Sequence, residues 1–234
     1  MGKKVIIHMR EHWPNNQHQI QFNFAKKIID KYADKIIAIN YTSSSILGLE
    51  KKTEIIYDWI DFENRNESVD FNKLFGNNYK SLKVFLFLGG MAKVKGALKV
   101  IQVFSENISE KNVRLLFVGS NGKEFDNDNT YKSKIKRILR ILKIYVYSDK
   151  VKHIAQKDER IIFIAPTNHV KSLIEQSYCL LSYPTIPHAI LPIAEAVYLG
   201  TPVISADTPE AKEYSNNGKA AILFEMNNKE AFQK

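Results

Sequence analysis

Two stretches of this 234-residue chain combine a charged side chain with turns that can bring main chain close to a ligand. The first is Gly89-Gly90-Met91-Ala92-Lys93-Val94-Lys95-Gly96. Paired glycines let the backbone approach a bound group. Lys95, beside Gly96 at an expected helix start, can place an ammonium on an anion held there. The spacing is not that of the phosphate loop G-x-x-x-x-G-K-[ST], and the plain alternative is a tight strand-to-helix turn with a solvated lysine. The second stretch, LPIAEAVYLGTPVISADTPE at 191–210, keeps one carboxylate, Glu195, inside an apolar run. Pro192 suits the first turn of a helix, which puts Glu195 about one turn in. A carboxylate there can accept hydrogen bonds from two vicinal hydroxyls, as acidic residues do for a nucleotide ribose. The alternative is a glutamate that merely complements the helix dipole, worth under ~1 kcal/mol. Gly200 ends that helix and Pro202 leads into the next strand. Thr208 then caps a second helix with Pro209 and Glu210 in its first turn. Two adjacent helix starts would face one crevice.

Other chemical patterns carry less. His8-Met9-Arg10-Glu11-His12 spells the zinc pattern H-x-x-E-H, which needs both histidines on one helix face. The strand-like KKVII before it and Trp13-Pro14 after it oppose a helix. Asp126-Asn127-Asp128 has the D-x-D look of metal-dependent transferases but sits in a polar loop and reads as a solvated turn. No metal and no cofactor is expected. The single cysteine, Cys179, lies in YCLLSY and reads as a buried, inert thiol.

The elements that must position these residues follow from short apolar runs. KKVIIHM, DKIIAIN, KTEIIYDW, LKVFLFLGG, VRLLFVGS, RIIFIAP, YCLLSYP, TPVISAD and KAAILFE are mostly β-branched-rich and bounded by Gly, Pro, Asp or Ser. Buried strands of a parallel sheet look like this. Helices are expected at 96–107, 167–177, 190–199 and 208–214, so alternating βα units imply a doubly wound α/β fold. The polar, Asn-rich gap at 62–81 marks a domain boundary, with residues 1–66 before it, a linker at 67–81 and 82–234 after it. In an open parallel sheet, ligands bind beyond the carboxyl ends of the strands, which is where both chemical stretches fall.

Lys plus Arg is 34 against Asp plus Glu at 25, a formal net charge of +9. That balance favours anionic partners. No aromatic-interleaved basic patch supports nucleic acid, and none is expected as a partner. Six of the residues at 132–143 are basic and none is acidic, with Ile135, Ile138, Leu139 and Leu142 at helical spacing. A basic amphipathic helix over 131–146 can lie on an anionic membrane, or serve as an ordinary crossover helix. No run approaches the ~20 apolar residues of a membrane span, and the amino terminus lacks a signal-peptide core. The expected setting is cytoplasmic, with peripheral contact at the inner membrane face if that helix binds there.

Leu191-Pro192-Ile193-Ala194-Glu195-Ala196, then Leu199-Gly200-Thr201-Pro202-Val203-Ile204, resembles the C-terminal half of family-4-like retaining glycosyltransferases of the GT-B fold (glycosyl transferases group 1). The order GGMAKVKG, RLLFVG, RIIFIAP and YCLLSYP fits as well, and ADKIIAINYTSSSIL followed by TEIIYDWID resembles the end of that family's N-terminal domain. The resemblance implies two Rossmann-like domains, the first incomplete here, and a chain truncated at both ends. It implies metal-independent transfer of a sugar from a nucleotide-diphosphate donor to a glycan or lipid-linked acceptor. Glu195 would bind the donor ribose, Lys95 with the Gly89-Gly90 turn its diphosphate, and the backbone around Thr208 its phosphates. Pro166 and Thr167 would sit by the base, and Ile190 and Leu191 by the donor at their helix start. His8 matches a histidine found near the reacting sugar in some members.

Two departures stand out. The family's first glutamate, eight positions before Glu195, is Pro187 here, with His188 beside it as a substitute partner for sugar hydroxyls. The arginine often found five positions before the lysine is Gly90. Truncation and the missing carboxylate keep a second reading open, a non-catalytic module that binds nucleotide-sugar.

Overall fold

The computed structural model describes residues 3–10, 19–60, 68–119 and 147–226. Within them the chain builds two parallel sheets. The smaller has β1 (Ile6–Met9), β2 (Lys35–Ala38) and β3 (Thr53–Ile55) in the order β1-β2-β3. The helices α1 (Gln19–Tyr32) and α2 (Tyr41–Leu47) connect them.

The larger sheet contains β4 (Lys83–Leu88), β5 (Val113–Val118), β6 (Ile161–Ile164), β7 (Cys179–Ser182), β8 (Val203–Ala206) and β9 (Ile222–Phe224). Their order is β6-β5-β4-β7-β8-β9, every pairing parallel. This is the doubly wound order in which the winding reverses between the first and fourth strands, and ligands bind at that reversal. Here it lies between β4 and β7. The helices of this half are α3 (Phe71–Phe75), α4 (Ala97–Asn107), α5 (Tyr147–Ala155), α6 (Val170–Gln176), α7 (Leu191–Tyr198) and α8 (Pro209–Tyr214).

The large sheet is buried on both faces, which is why its strands read as continuous apolar runs. On one face Phe87, Phe117 and Phe163 stand in register across β4, β5 and β6. Their ring centroids are 4.6 and 4.9 Å apart, and α4 and α5 cover them through Ile101, Phe104 and Val151. Leu98 N–H in the first turn of α4 donates to the Tyr147 hydroxyl at 3.0 Å. On the other face Leu86, Leu116 and Leu180 meet Leu173 of α6 and Ile193 of α7. The stretch expected as a linker contains α3, and its Phe71 is buried in this same cluster.

The small sheet has a thinner core of Met9, Ala33, Ile36 and Leu47. α1 turns Phe22 and Ile29 onto it, while Ile20, Phe24 and Ile28 on the opposite side are exposed. The expected basic helix at 131–146, the D-x-D turn at 126–128 and Glu11-His12 of the zinc pattern lie outside the described residues. His8 itself is on a strand, β1. Among the described residues no helix is long and apolar enough to cross a membrane.

Candidate functional site

The carboxyl ends of β4, β5 and β7 are drawn together by glycines. Gly90 follows β4 with φ +57°, and its N–H donates to Val118 O at 2.9 Å. A Cβ on Gly90 would stand 2.8 Å from Gly119 O, and one on Gly119 would stand 2.9 Å from Gly90 N. The two turns therefore lie main chain against main chain. Gly96, at φ +74°, meets the end of β7 still more closely, since a Cβ there would fall 2.0 Å from Tyr183 O. Thr185 fastens the same seam. Its N–H donates to Val94 O at 3.0 Å, and its hydroxyl to Lys93 O at 3.1 Å. The GGMAKVKG segment is thus built into the reversal point of the sheet.

Lys95 ends the short 3-10 turn Lys93–Lys95. Its stem lies over Gly89, whose added Cβ would stand 3.0 Å from Lys95 Cβ and Cγ. The side chain is half-buried, and burial pulls the ammonium below its ordinary lysine value, because desolvation disfavours the charged form. An anion placed beside it would reverse that shift. The solvated-lysine alternative does not describe this side chain.

α7 starts beside the same point. Ile190, its N-cap, is buried and offers no side-chain cap, and no acid stands in the first turn. Leu191 opens the helix and is half-buried, as is Glu195 one turn on. Glu195 already has a partner within the protein, and it lies beyond the turn where the helix dipole acts most strongly. Thr208 is buried and caps α8, its hydroxyl accepting Ala211 N–H at 3.1 Å. Asp207 before it donates its N–H to Phe224 O at 2.7 Å and pairs through its carboxylate with Lys212 at 2.9 Å.

The remaining candidates stand further out. Pro166 is exposed and Thr167 half-buried just past β6, and the Thr167 hydroxyl accepts His169 N–H at 3.1 Å. Pro187 is exposed, and His188 is half-buried with Nδ1 2.8 Å from Ile186 O. A carbonyl can only accept, so Nδ1 carries the proton, and in the neutral ring Nε2 is the acceptor nitrogen. His8 is exposed on β1 opposite Ile37, in the small sheet. Gly89, Gly90 and Lys95 thus form one built cluster at the β4–β7 reversal. Ile190, Leu191 and Glu195 follow β7 itself, Thr208 follows β8 one strand further out, and His8 belongs to the other sheet. Sequence reasoning did not single out Gly119, Tyr183 or Thr185. Only Gly119 left a trace, as a glycine closing the run VRLLFVG.

The chain matches the family described as Glycosyl transferases group 1 over residues 70–234. It belongs to that family. No curated protein sequence matches it, but solved structures do. Anabaena HepE in complex with UDP and glucose superposes with a TM-score of 0.72 at 16% identity, covering 99% of this chain and 60% of that one. A glycosyltransferase from Rickettsia africae gives 0.66 at 18% identity over 97% and 58%. The UDP-forming α,α-trehalose-phosphate synthase of Burkholderia vietnamiensis gives 0.68 at 9% identity over 98% and 57%. The architecture is therefore of the GT-B type. It spans about 60% of the length of the HepE chain.

Proposed function

We propose that this glycosyltransferase takes its sugar from a nucleotide-diphosphate donor and transfers it with retention, without a metal, to a glycan or lipid-linked acceptor. In this reading residues 82–234 hold the donor and residues 1–66 face the acceptor. The observation that carries it is the half-buried Lys95 lying over Gly89 at the β4–β7 reversal. Transfer leaves negative charge on the departing diphosphate, and fixed cations and backbone donors can take it up without a metal. Lys95 supplies the cation. The backbone at Gly89-Gly90 and around Thr208, and the start of α7 at Ile190-Leu191, line the same edge. Glu195 accepts from the ribose hydroxyls, and Pro166 and Thr167 flank the base. His188 Nε2 replaces the missing carboxylate as a sugar-hydroxyl acceptor, and His8 faces the reacting sugar. The HepE complexes with UDP and with UDP-glucose favour a nucleotide-sugar donor. Residues 131–146 would add an anionic membrane surface, tested by sedimentation with vesicles containing phosphatidylserine.

The test is calorimetric titration with UDP and with GDP, with and without EDTA. One nucleotide binds, EDTA changes nothing, and Glu195→Ala weakens binding at least about tenfold, the loss expected when a charged hydrogen-bonding partner goes. His188→Ala keeps nucleotide affinity but weakens the intact nucleotide-sugar. A chain that binds neither nucleotide sinks the donor reading. Pro187, where the family carries its first glutamate, favours the second reading of a non-catalytic nucleotide-sugar module. That reading prevails if donor binds and no hydrolysis or transfer of its sugar is detected.

A further inference from the structure

Two halves of the chain, far apart in sequence, meet at one carboxylate. Glu213, half-buried near the end of α8, accepts Tyr41 N–H through Oε1 at 2.7 Å. The same oxygen accepts the Tyr57 hydroxyl at 2.8 Å. Tyr41 opens α2 just past β2, and Tyr57 lies two residues past β3, so one oxygen joins two strand ends of the small sheet to a helix of the large one. Tyr214 reinforces the junction. Its ring meets Tyr57 edge to face with centroids 6.0 Å apart, and its hydroxyl is 3.5 Å from Ile39 O. Burial and the Glu213 carboxylate both push the Tyr57 hydroxyl above its ordinary value, so it stays a donor at neutral pH. Arg10 and Asp58 form a further ion pair at 3.7 Å within the small half, between the segments that follow β1 and β3. The phenol, the amide and the ring leave little freedom between the halves, because all three contacts converge on one turn of α8.

We infer that Glu213 is a positioning residue, a latch that fixes the carboxyl ends of β2 and β3 against α8 and so sets the spacing of the two sheets. α8 begins at Thr208, on the edge where the donor phosphates are proposed, and ends at this latch. The bearing on sugar transfer rests on the proposed function, whereas the latch rests on the contacts alone. A closed cleft needs both sheets at a fixed separation for acceptor and donor carbons to meet, and near-attack geometry is lost with shifts of about 1 Å.

The test measures that separation directly. Lys27→Cys on α1 and Lys99→Cys on α4 are exposed positions, one in each half. Cys179, 2% exposed, with its thiol pushed up to about 12, stays unlabelled in the native protein. Spin labels at 27 and 99 give a narrow distance distribution by pulsed electron resonance in the otherwise native chain. Glu213→Ala broadens and lengthens it. Glu213→Gln, which keeps an acceptor oxygen, restores the narrow distribution. Glu213→Asp, one methylene shorter, keeps the charge yet cannot reach both donors, and broadens it as Ala does. Should the alanine variant not fold, the aspartate variant decides. A distribution as narrow as native in Glu213→Ala or Glu213→Asp overturns the latch. UDP titration separates this from the donor reading. If the native chain binds no UDP, donor binding fails while the distance measurement still decides the latch.

Discussion

At the residue scale, Lys95 shows how a single side chain changes character with its surroundings. In the sequence it is one lysine among many, recognisable only by the glycines around it. In the fold its stem lies over Gly89 and burial lowers its affinity for a proton. The sign of the resulting pH effect is fixed. Because the folded-state value is depressed, the unfolded chain holds the proton more tightly. Lys95 therefore destabilises the ligand-free fold at pH below its folded value, and stability rises with pH between that value and the unfolded 10.5. A bound diphosphate raises the folded value again. Nucleotide binding should therefore take up protons at alkaline pH and weaken as pH climbs past the depressed value. Titration in two buffers of different ionisation heat measures that uptake. Lys95→Ala abolishes it together with most of the affinity. Uptake that persists in Lys95→Ala would assign it elsewhere. The helix starts that carry Glu195 and Thr208 were equally legible, because proline-led starts announce themselves. His188 was legible only as a neighbour of a missing glutamate, and its tautomer required the Ile186 carbonyl.

At the scale of elements, the central strands of the large sheet were readable because strands buried on both faces carry unbroken apolar runs. The helices were less so. α1 presents Phe22 and Ile29 to its own sheet and Ile20, Phe24 and Ile28 to the outside, which blurs the single stripe that marks an amphipathic helix. α2, YTSSSIL, has few strong helix formers and depends on Asn40, whose side chain accepts Ser43 N–H at 2.7 Å. The glycine seam was partly legible. GGMAKVKG advertised itself, but its counterpart Gly119 showed only as the glycine closing VRLLFVG, and the carbonyl of Tyr183 had no distinctive sequence. Gly96 is where the seam is least forgiving. Alanine there adopts a left-handed backbone at about 1–2 kcal/mol and drives a Cβ to 2.0 Å from a carbonyl oxygen that belongs to main chain. Gly96→Ala should lower the melting temperature by at least about 4 °C and abolish nucleotide binding. Gly200, whose added Cβ meets nothing within 4 Å, supplies the control. Its alanine variant shares the backbone cost, so nucleotide affinity should fall for Gly96 alone.

At the scale of the whole molecule, the two halves are unequal. That the chain holds two sheets was legible from the polar gap between runs of strands. That they meet through Glu213, Tyr41 and Tyr57 was not, because the partners are 172 and 156 residues apart and each is an ordinary surface residue in isolation. The large half encloses two extensive apolar clusters, whereas among the described residues the small sheet packs one small cluster, Met9, Ala33, Ile36 and Leu47, and makes contacts across to α8. Such a difference divides a protein into units that open independently. Amide protons of β1, β2 and β3 should exchange with solvent through partial opening of the small sheet, while those of β4 and β5 wait for global unfolding. A fold of this kind keeps one half as a rigid anvil and lets the other breathe, so the small sheet can be remodelled by mutation with little effect on the persistence of the large one.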